Sequence, residues 1–177
     1  MIVMKFGGTS VASAERIRAV AARVRERLQR RPVVVVSALA GVTDLLIRGA
    51  GLAFVRDPEA EGVAHEVLSR HNAVIRELVP AGETRNALLA HVESVVDALR
   101  TLYTGVLYLG ELTPRSLDAI SGMGERISCE IVKPALRKPP AVKSPRILRG
   151  SVSIFSSSPP PINGITLSAM SRDATPG

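Results

Sequence analysis

The residue types best suited to chemistry stand at the start of the chain, where a lysine precedes a Gly-Gly-Thr-Ser turn. Lys5 lies near the end of a short apolar run, which predicts a buried strand over residues 2–6. Gly7 and Gly8 lack a Cβ atom, so their amides can approach a bulky anion closely. A helix after the turn would add the positive end of its dipole. Two hydroxyl side chains follow, those of Thr9 and Ser10. A cation, free amides and hydroxyls at one strand end indicate a polyphosphate site.

This turn differs from the two common nucleotide-binding motifs. The P-loop, G-x-x-x-x-G-K-[ST], carries its lysine after the glycines, and the dinucleotide-binding turn reads G-x-G-x-x-G. A glycine pair between a strand and a helix can also serve the turn alone. The phosphate hypothesis therefore depends on what other elements bring to the same place.

The elements that must position this turn form a β-α-β pattern. Ser13 is placed to cap a helix that runs to about Arg30. Four valines at 33–36 predict a strand buried on both faces, as in a parallel sheet. Ser37 follows that strand at the edge where open α/β sheets bind ligands, and Thr43 is placed to cap the next helix. The first 36 residues thus predict an α/β fold with a right-handed crossover.

Helical periodicity dominates the middle of the chain. Residues 59–79 and 83–109 predict two long amphipathic helices, which form a helical hairpin beside the sheet. Thr113 followed by Pro114 has the N-cap and first-residue pattern of a further helix, extending towards residue 121. The Gly-Met-Gly sequence at 122–124 interrupts it, and residues 125–132 continue as helix.

Composition predicts one soluble domain with an aliphatic core. Apolar residues make up 46% of the 177 residues, aromatic residues only 3%, and there is no Trp. No apolar run approaches the roughly 20 residues that span a bilayer, and the N-terminus reads as a strand rather than a signal segment. The single cysteine, Cys129, excludes an internal disulfide and is expected in the core. These features favour a cytoplasmic protein without a membrane partner.

The positive charge belongs to the end of the chain. Residues 1–132 hold 16 of the 23 Lys and Arg and 15 of the 16 Asp and Glu, so the remaining 45 residues carry seven bases and one acid. The nearly neutral body disfavours a nucleic-acid partner, although the basic tail leaves a nucleic-acid or membrane arm as a weaker alternative. The histidines, 65, 71 and 91, lack i,i+4 spacing, so no metal site is expected.

Four segments together resemble the N-terminal part of aspartate kinases, within the amino-acid kinase family. The four segments are residues 3–11 (VMKFGGTSV), 33–43 (VVVVSALAGVT), 108–116 (YLGELTPRS) and 121–128 (SGMGERIS). Their order and the helical insertion before the third are similar to the long-insertion type of that family, over about residues 1–137. The resemblance implies a three-layer α/β/α fold with a mostly parallel sheet.

The resemblance also implies an activity and its phosphoryl donor. In that family, ATP with Mg²⁺ phosphorylates the side-chain carboxylate of L-aspartate, on the route to lysine, threonine and methionine. Lys5 would bind the ATP phosphates and offset the charge that develops during transfer. Gly7 and Gly8 would give amides to the same phosphates, with Thr9 and Ser10 beside them.

The resemblance places the aspartate between the second and fourth segments. Ser37 and Thr43 would contact the phosphate or the aspartate, and Glu125 would pair with the α-ammonium group of aspartate. Taken alone, Ser37 and Thr43 also read as loop and cap residues, and Glu125 as a solvated helix-start charge. Full-length relatives are expected to form homo-oligomers.

The sequence leaves the family pattern near residues 135–138. Residues 138–177 form a basic tail rich in Pro and Ser, which we expect to be disordered. The tail sequence is expected to come from a shifted reading frame, and a genuine divergent tail is the alternative. The family's Gly-Arg-Gly-Gly-Ser-Asp segment, with its substrate arginine and catalytic aspartate, is missing. We therefore expect an incomplete aspartate kinase, inactive as an isolated chain. The alternative is a binding or regulatory module that keeps the amino-acid and phosphate contacts without catalysis.

Overall fold

The computed structural model of the chain describes residues 1–137 and 167–169. Within these residues the chain forms three strands and six α-helices. In chain order the elements are β1 (Ile2–Phe6), α1 (Ala14–Arg25), β2 (Pro32–Val36), α2 (Val42–Phe54), α3 (Glu59–Leu78), α4 (Glu83–Leu109), α5 (Pro114–Ser121), α6 (Met123–Leu136) and β3 (Leu167–Ala169).

The strands form one parallel sheet in the order β1-β2-β3. β1 and β2 pair over their full length, from Ile2 opposite Pro32 to Phe6 opposite Val36. β3 pairs with the second half of β2, with Val34 opposite Leu167. Because α1 connects the two parallel strands, the predicted β-α-β unit and the α/β fold class are confirmed.

The two strands that were predicted to be buried, β1 and β2, differ in solvent exposure. In β2 every residue is buried except Val33, which is half-buried, as a central strand requires. β1 was wrongly predicted as buried, because it lies at the edge of the sheet that the described residues form and alternates between covered and open positions. Phe6 is buried, whereas Val3 is 66% exposed. Successive side chains of a strand point to opposite faces, so the face that carries Val3 is open beside β1.

The first helix begins as predicted and ends earlier. The Ser13 side chain accepts a hydrogen bond from the Arg16 amide, which makes Ser13 the N-cap. The helix ends at Arg25, five residues before the predicted end, because its buried stripe ends at Val24. A short 3₁₀ turn, Leu28–Arg30, then leads to Pro32 at the start of β2.

The predicted helical hairpin is present as α3 and α4. The two helices pack along each other, and Arg100 of α4 donates to Glu61 of α3 at 2.7 Å. Their main contacts outside the hairpin are with α2 rather than with the strands. Tyr103 illustrates this packing, since its hydroxyl donates to the Leu46 carbonyl of α2 at 2.9 Å.

The last two helices are almost continuous. Thr113 caps α5 as predicted, because its Oγ1 accepts from the Ser116 amide at 3.1 Å. Gly122 separates α5 from α6 with near-helical backbone angles. α6 runs to Leu136, past the predicted end at 132 and through Pro134, because its buried residues continue to Leu136 against α1.

The tail lies outside the described residues, apart from 167–169. The predicted disorder and the strand considered at residues 151–155 therefore stay predictions. Among the described residues, no helix combines the length and apolarity needed to cross a membrane.

Candidate functional site

The loop after β1 is a 3₁₀ turn rather than the start of a long helix. Gly7 precedes the turn Gly8–Val11, and the Ser10 amide donates to the Gly7 carbonyl at 2.8 Å. Since α1 begins only at Ala14, the sequence-based placement of a helix dipole directly at the glycines was wrong. The free amides of the turn itself, at its first residues, are the groups that remain available to an anion.

The two glycines of this turn have different surroundings. A Cβ atom on Gly8 would lie 2.8 Å from the carbonyl oxygen of Ala38 and 3.4 Å from the backbone of Ala40. A Cβ atom on Gly7 would have nothing within 4 Å. Gly8 therefore lets the first loop pack against the loop after β2, whereas Gly7 has its backbone in open space.

The loop after β2 continues the sheet and then turns into α2. The Ser37 amide donates to the Phe6 carbonyl at 3.0 Å, which fixes the half-buried Ser37 at the carboxyl end of both strands. Gly41, with φ at +76°, is the N-cap of α2, and no side chain caps that end. Thr43 was wrongly predicted as the cap, because the left-handed Gly41 starts the helix two residues earlier. Thr43 is half-buried in the first turn.

Helix α6 reaches the same loop through a glycine. A Cβ atom on Gly124 would lie 2.7 Å from the Cβ of Ala38 and 3.2 Å from Cγ1 of Val42. Glu125 follows directly and is half-buried. Gly8 and Gly124 therefore both contact Ala38, so the first loop, the second loop and the start of α6 meet at one place.

Lys5 lies at the end of β1 that leads into the first loop. It precedes the last residue of β1, lies opposite Val35 in the parallel ladder and is exposed. Strand alternation places it on the sheet face opposite to Phe6. Within the described part of the chain, its ammonium group forms no hydrogen bond or ion pair, so no described residue neutralises its charge.

The structure adds an arginine that sequence analysis did not select. Nη1 of Arg70, on α3, lies 3.5 Å from the position of a Cβ on Gly41. Its Nη2 donates to Glu66 at 2.6 Å, and Glu66 also pairs with Arg48 of α2 at 3.4 Å. The i,i+4 spacing of Glu66 and Arg70 was readable from the sequence, but their position beside the second loop depends on how α3 packs on α2.

The buried titratable groups serve the core. His71 is fully buried, and burial lowers its pKa below the usual value, with the Arg70 charge acting in the same direction. Burial raises the pKa of Tyr103, and it raises that of the Cys129 thiol to about 12, which keeps both protonated at neutral pH. Cys129 is thus a core residue, as predicted, and not a nucleophile. In the described residues, no three His, Cys, Asp or Glu side chains form a group that could hold a metal.

Comparison with known proteins identifies related sequences and folds. Residues 1–152 match the amino acid kinase family. Over 136 residues, the chain is 32% identical to the chloroplastic bifunctional aspartokinase/homoserine dehydrogenase 1 of Zea mays, an alignment that covers 77% of this chain and 15% of that protein. It is 34% identical over 136 residues to the chloroplastic aspartokinase 3 of Arabidopsis thaliana, with 77% of this chain and 24% of that protein covered.

A solved structure gives the same result for the fold. E. coli aspartokinase III, in complex with aspartate and ADP, matches with a TM-score of 0.66 at 26% identity, over 77% of this chain and 28% of that chain. The chain thus spans 15% to 28% of the length of these relatives. With the family matched over most of its length and a kinase fold in its described part, the chain belongs to the amino acid kinase family.

Proposed function

We propose that this chain forms the N-terminal part of an aspartate kinase site, in which ATP phosphorylates the side-chain carboxylate of L-aspartate. The observation that carries the proposal is the meeting of three segments at Ala38, which contacts both Gly8 and Gly124. Each of these segments is similar in sequence to aspartate kinases, and E. coli aspartokinase III binds aspartate and ADP. The product, 4-phospho-aspartate, would lead towards lysine, threonine and methionine.

The first loop is the proposed contact for ATP with its Mg²⁺. Phosphoryl transfer depends on positioning and on compensation of negative charge. Lys5 offers an exposed cation at the end of β1, and Gly7 offers backbone with open space around it. Gly8 holds this loop against the second one, and the hydroxyls of Thr9 and Ser10 lie in the same turn.

The second loop and α6 are the proposed contacts for aspartate. The uncapped N-terminus of α2 carries amides and a partial positive charge that suit a carboxylate. Ser37 and Thr43 are the half-buried hydroxyl residues on either side of that terminus. Glu125 would pair with the α-ammonium group through a charge-assisted hydrogen bond, one of the stronger polar contacts.

The remaining groups of the reaction must come from outside this set. The Gly-Arg-Gly-Gly-Ser-Asp segment, with the arginine and aspartate that the family uses, is missing from the sequence. We therefore propose that this chain supplies groups that bind ATP and aspartate. Phosphoryl transfer occurs only when the other half of the site is supplied. We also propose that the protein is cytoplasmic and that its full-length relatives form homo-oligomers.

A chimaera tests this function directly. Residues 1–132 of this chain replace the equivalent segment of E. coli aspartokinase III, and aspartyl phosphate is trapped as the hydroxamate. We expect ATP- and aspartate-dependent turnover from the chimaera, loss of turnover with Lys5→Met, and retained aspartate binding in that variant, since Lys5 mainly serves the transferring group. The isolated 177-residue chain is expected to give no hydroxamate.

The outcomes separate the two functional classes. A folded chimaera that binds aspartate without phosphorylating it would favour the binding or regulatory module. A folded chimaera that binds neither ligand would contradict both. Turnover by the isolated chain at the common enzyme scale of about 1 s⁻¹ or faster would show that this chain supplies the missing groups itself.

A further inference from the structure

Arg16 reaches from α1 back into the first loop. Its Nη1 donates to the carbonyl oxygen of Thr9 at 2.9 Å, across seven residues of sequence. Its backbone amide donates to Ser13 Oγ at 3.3 Å, so the residue is fixed within the first turn of the helix. The guanidinium group is exposed and, in the described part of the chain, forms no ion pair. No carboxylate of a described residue therefore compensates its charge.

The loop that Arg16 contacts is short and begins with two adjacent glycines. The 3₁₀ turn Gly8–Val11 has four residues, and two adjacent glycines lose much conformational freedom when they are ordered. The Ser10 amide donates to the Gly7 carbonyl at 2.8 Å, at the start of the turn. A hydrogen bond from a charged group is stronger than one between neutral groups. The Arg16 bond thus fixes the peptide plane between Thr9 and Ser10.

A neighbouring arginine on the same helix has a different task. Arg18 pairs with Glu77 at 3.6 Å and donates to the Glu77 carbonyl, which ties α1 to α3. Arg23, one and a half turns further on, is also exposed and makes no hydrogen bond or ion pair with any described residue. The bond to the glycine loop is therefore particular to Arg16, and Arg23 offers a matched control with the same charge.

We infer that Arg16 is a positioning residue for the anion-binding loop: it holds the turn at residues 7–10 in the shape that receives a polyphosphate and adds a positive charge beside it. The Thr9 carbonyl shares its peptide group with the Ser10 amide, which donates to the Gly7 carbonyl and so closes the turn. A cation on the Thr9 carbonyl polarises this peptide group and strengthens the hydrogen bond that the Ser10 amide donates. The part of this inference that concerns polyphosphate rests on the proposed function, whereas the part that concerns turn order does not.

The test compares Arg16→Gln with Arg23→Gln in the full chain, with Arg16→Lys as the conservative variant. Hydrogen exchange of the Ser10 amide, followed by NMR without ligand, reports the order of the turn. The amide of Leu99, in the core on α4, serves as the reference for global opening. We expect Arg16→Gln to speed Ser10 exchange about tenfold, the effect of about 1.4 kcal/mol, with no change at Leu99 and no change in Arg23→Gln. Arg16→Lys should restore part of the protection.

Inorganic pyrophosphate is the probe for the second arm. We expect its affinity to fall about tenfold in Arg16→Gln and less than twofold in Arg23→Gln. Equal Ser10 exchange in the two glutamine variants would overturn the inference, whether or not pyrophosphate binds. Faster exchange with unchanged pyrophosphate affinity would overturn its anion part. If the unmodified chain binds no pyrophosphate, the proposed phosphate site fails, and Ser10 exchange still decides the role of Arg16 in the turn.

Discussion

A Cβ atom on Gly7 would stand in open space, whereas one on its neighbour Gly8 would lie 2.8 Å from the carbonyl oxygen of Ala38. The sequence predicted the same role for both residues, close approach to an anion. The fold also gives Gly8 a packing role, because the loop after β2 passes directly over it. Gly124 repeats this pattern against the Cβ of Ala38. Close approach between chain segments distant in sequence depends on tertiary packing, which no local pattern contains.

Alanine substitution should separate the two glycines. We expect Gly8→Ala to destabilise the fold by about 1–3 kcal/mol, the usual cost of overpacking, because the Ala38 backbone cannot move without shifting Ser37 in the ladder. Gly7→Ala should be neutral or stabilising by up to about 1 kcal/mol, since its φ of −72° suits alanine. Urea unfolding of the two variants measures the difference. Equal losses of stability would contradict the contact between the loops.

His71 makes stability depend on pH. Its Nδ1 lies 2.6 Å from the Val67 carbonyl, and its Nε2 has no hydrogen-bond partner in the described part of the chain. Because burial lowers its pKa in the folded state, the unfolded state takes up a proton first as the pH falls. The stability that the neutral, buried His71 contributes is complete above the unfolded-state pKa of about 6.5. As the pH falls below that value, the free energy of unfolding decreases by at most about 1.4 kcal/mol per pH unit.

The measurement is the free energy of unfolding between pH 8 and pH 5. We expect the decline below pH 6.5 to be reduced in His71→Leu and retained in His65→Gln, since His65 is exposed on the same helix. If the free energy of unfolding declined as steeply in His71→Leu as in the unmodified chain, the decline would come from titratable groups other than His71.

At the scale of elements, the N-termini of the helices show how far the local sequence determines where a helix begins. Ser13 and Thr113 were predicted as caps from residue type and the following residues, and both accept the expected backbone amide. Thr43 had the same residue type, but Gly41 takes the left-handed conformation before it and starts α2. The ends of α1 and α6 were predicted less well, because burial against other elements, and not propensity, decides where they stop.

Substitution of the two threonines should show this difference. Thr113→Ala removes a side-chain cap and is expected to cost about 1 kcal/mol, typical of N-cap loss. Thr43→Ala removes no cap, so we expect its effect on stability to stay within about 0.5 kcal/mol. Thermal or urea unfolding measures both. A larger cost for Thr43→Ala than for Thr113→Ala would place the cap of α2 at Thr43 after all.

At the scale of the whole described fold, residues 1–137 and 167–169, the sheet has one face packed by helices and one that is open beside β1. Val3 is 66% exposed on that open face, and the exposed Lys5 shares it by strand alternation. The apolar pattern predicted the strand, but the run from Ile2 to Phe6 does not reveal whether a second layer covers it. The long helices were predicted closely because their periodicity extends over many turns.

Amide chemical-shift mapping of the ¹⁵N-labelled 177-residue chain tests the central claim most directly. MgATP and L-aspartate are added separately, with D-aspartate as the control for recognition of the α-ammonium group. We predict that MgATP shifts the amides of residues 5–10 and that L-aspartate shifts those of 37–43 and 124–126, with weaker effects from D-aspartate. Shifts confined to the basic residues of the tail, or the absence of saturable shifts at these three segments, would contradict a shared ligand site.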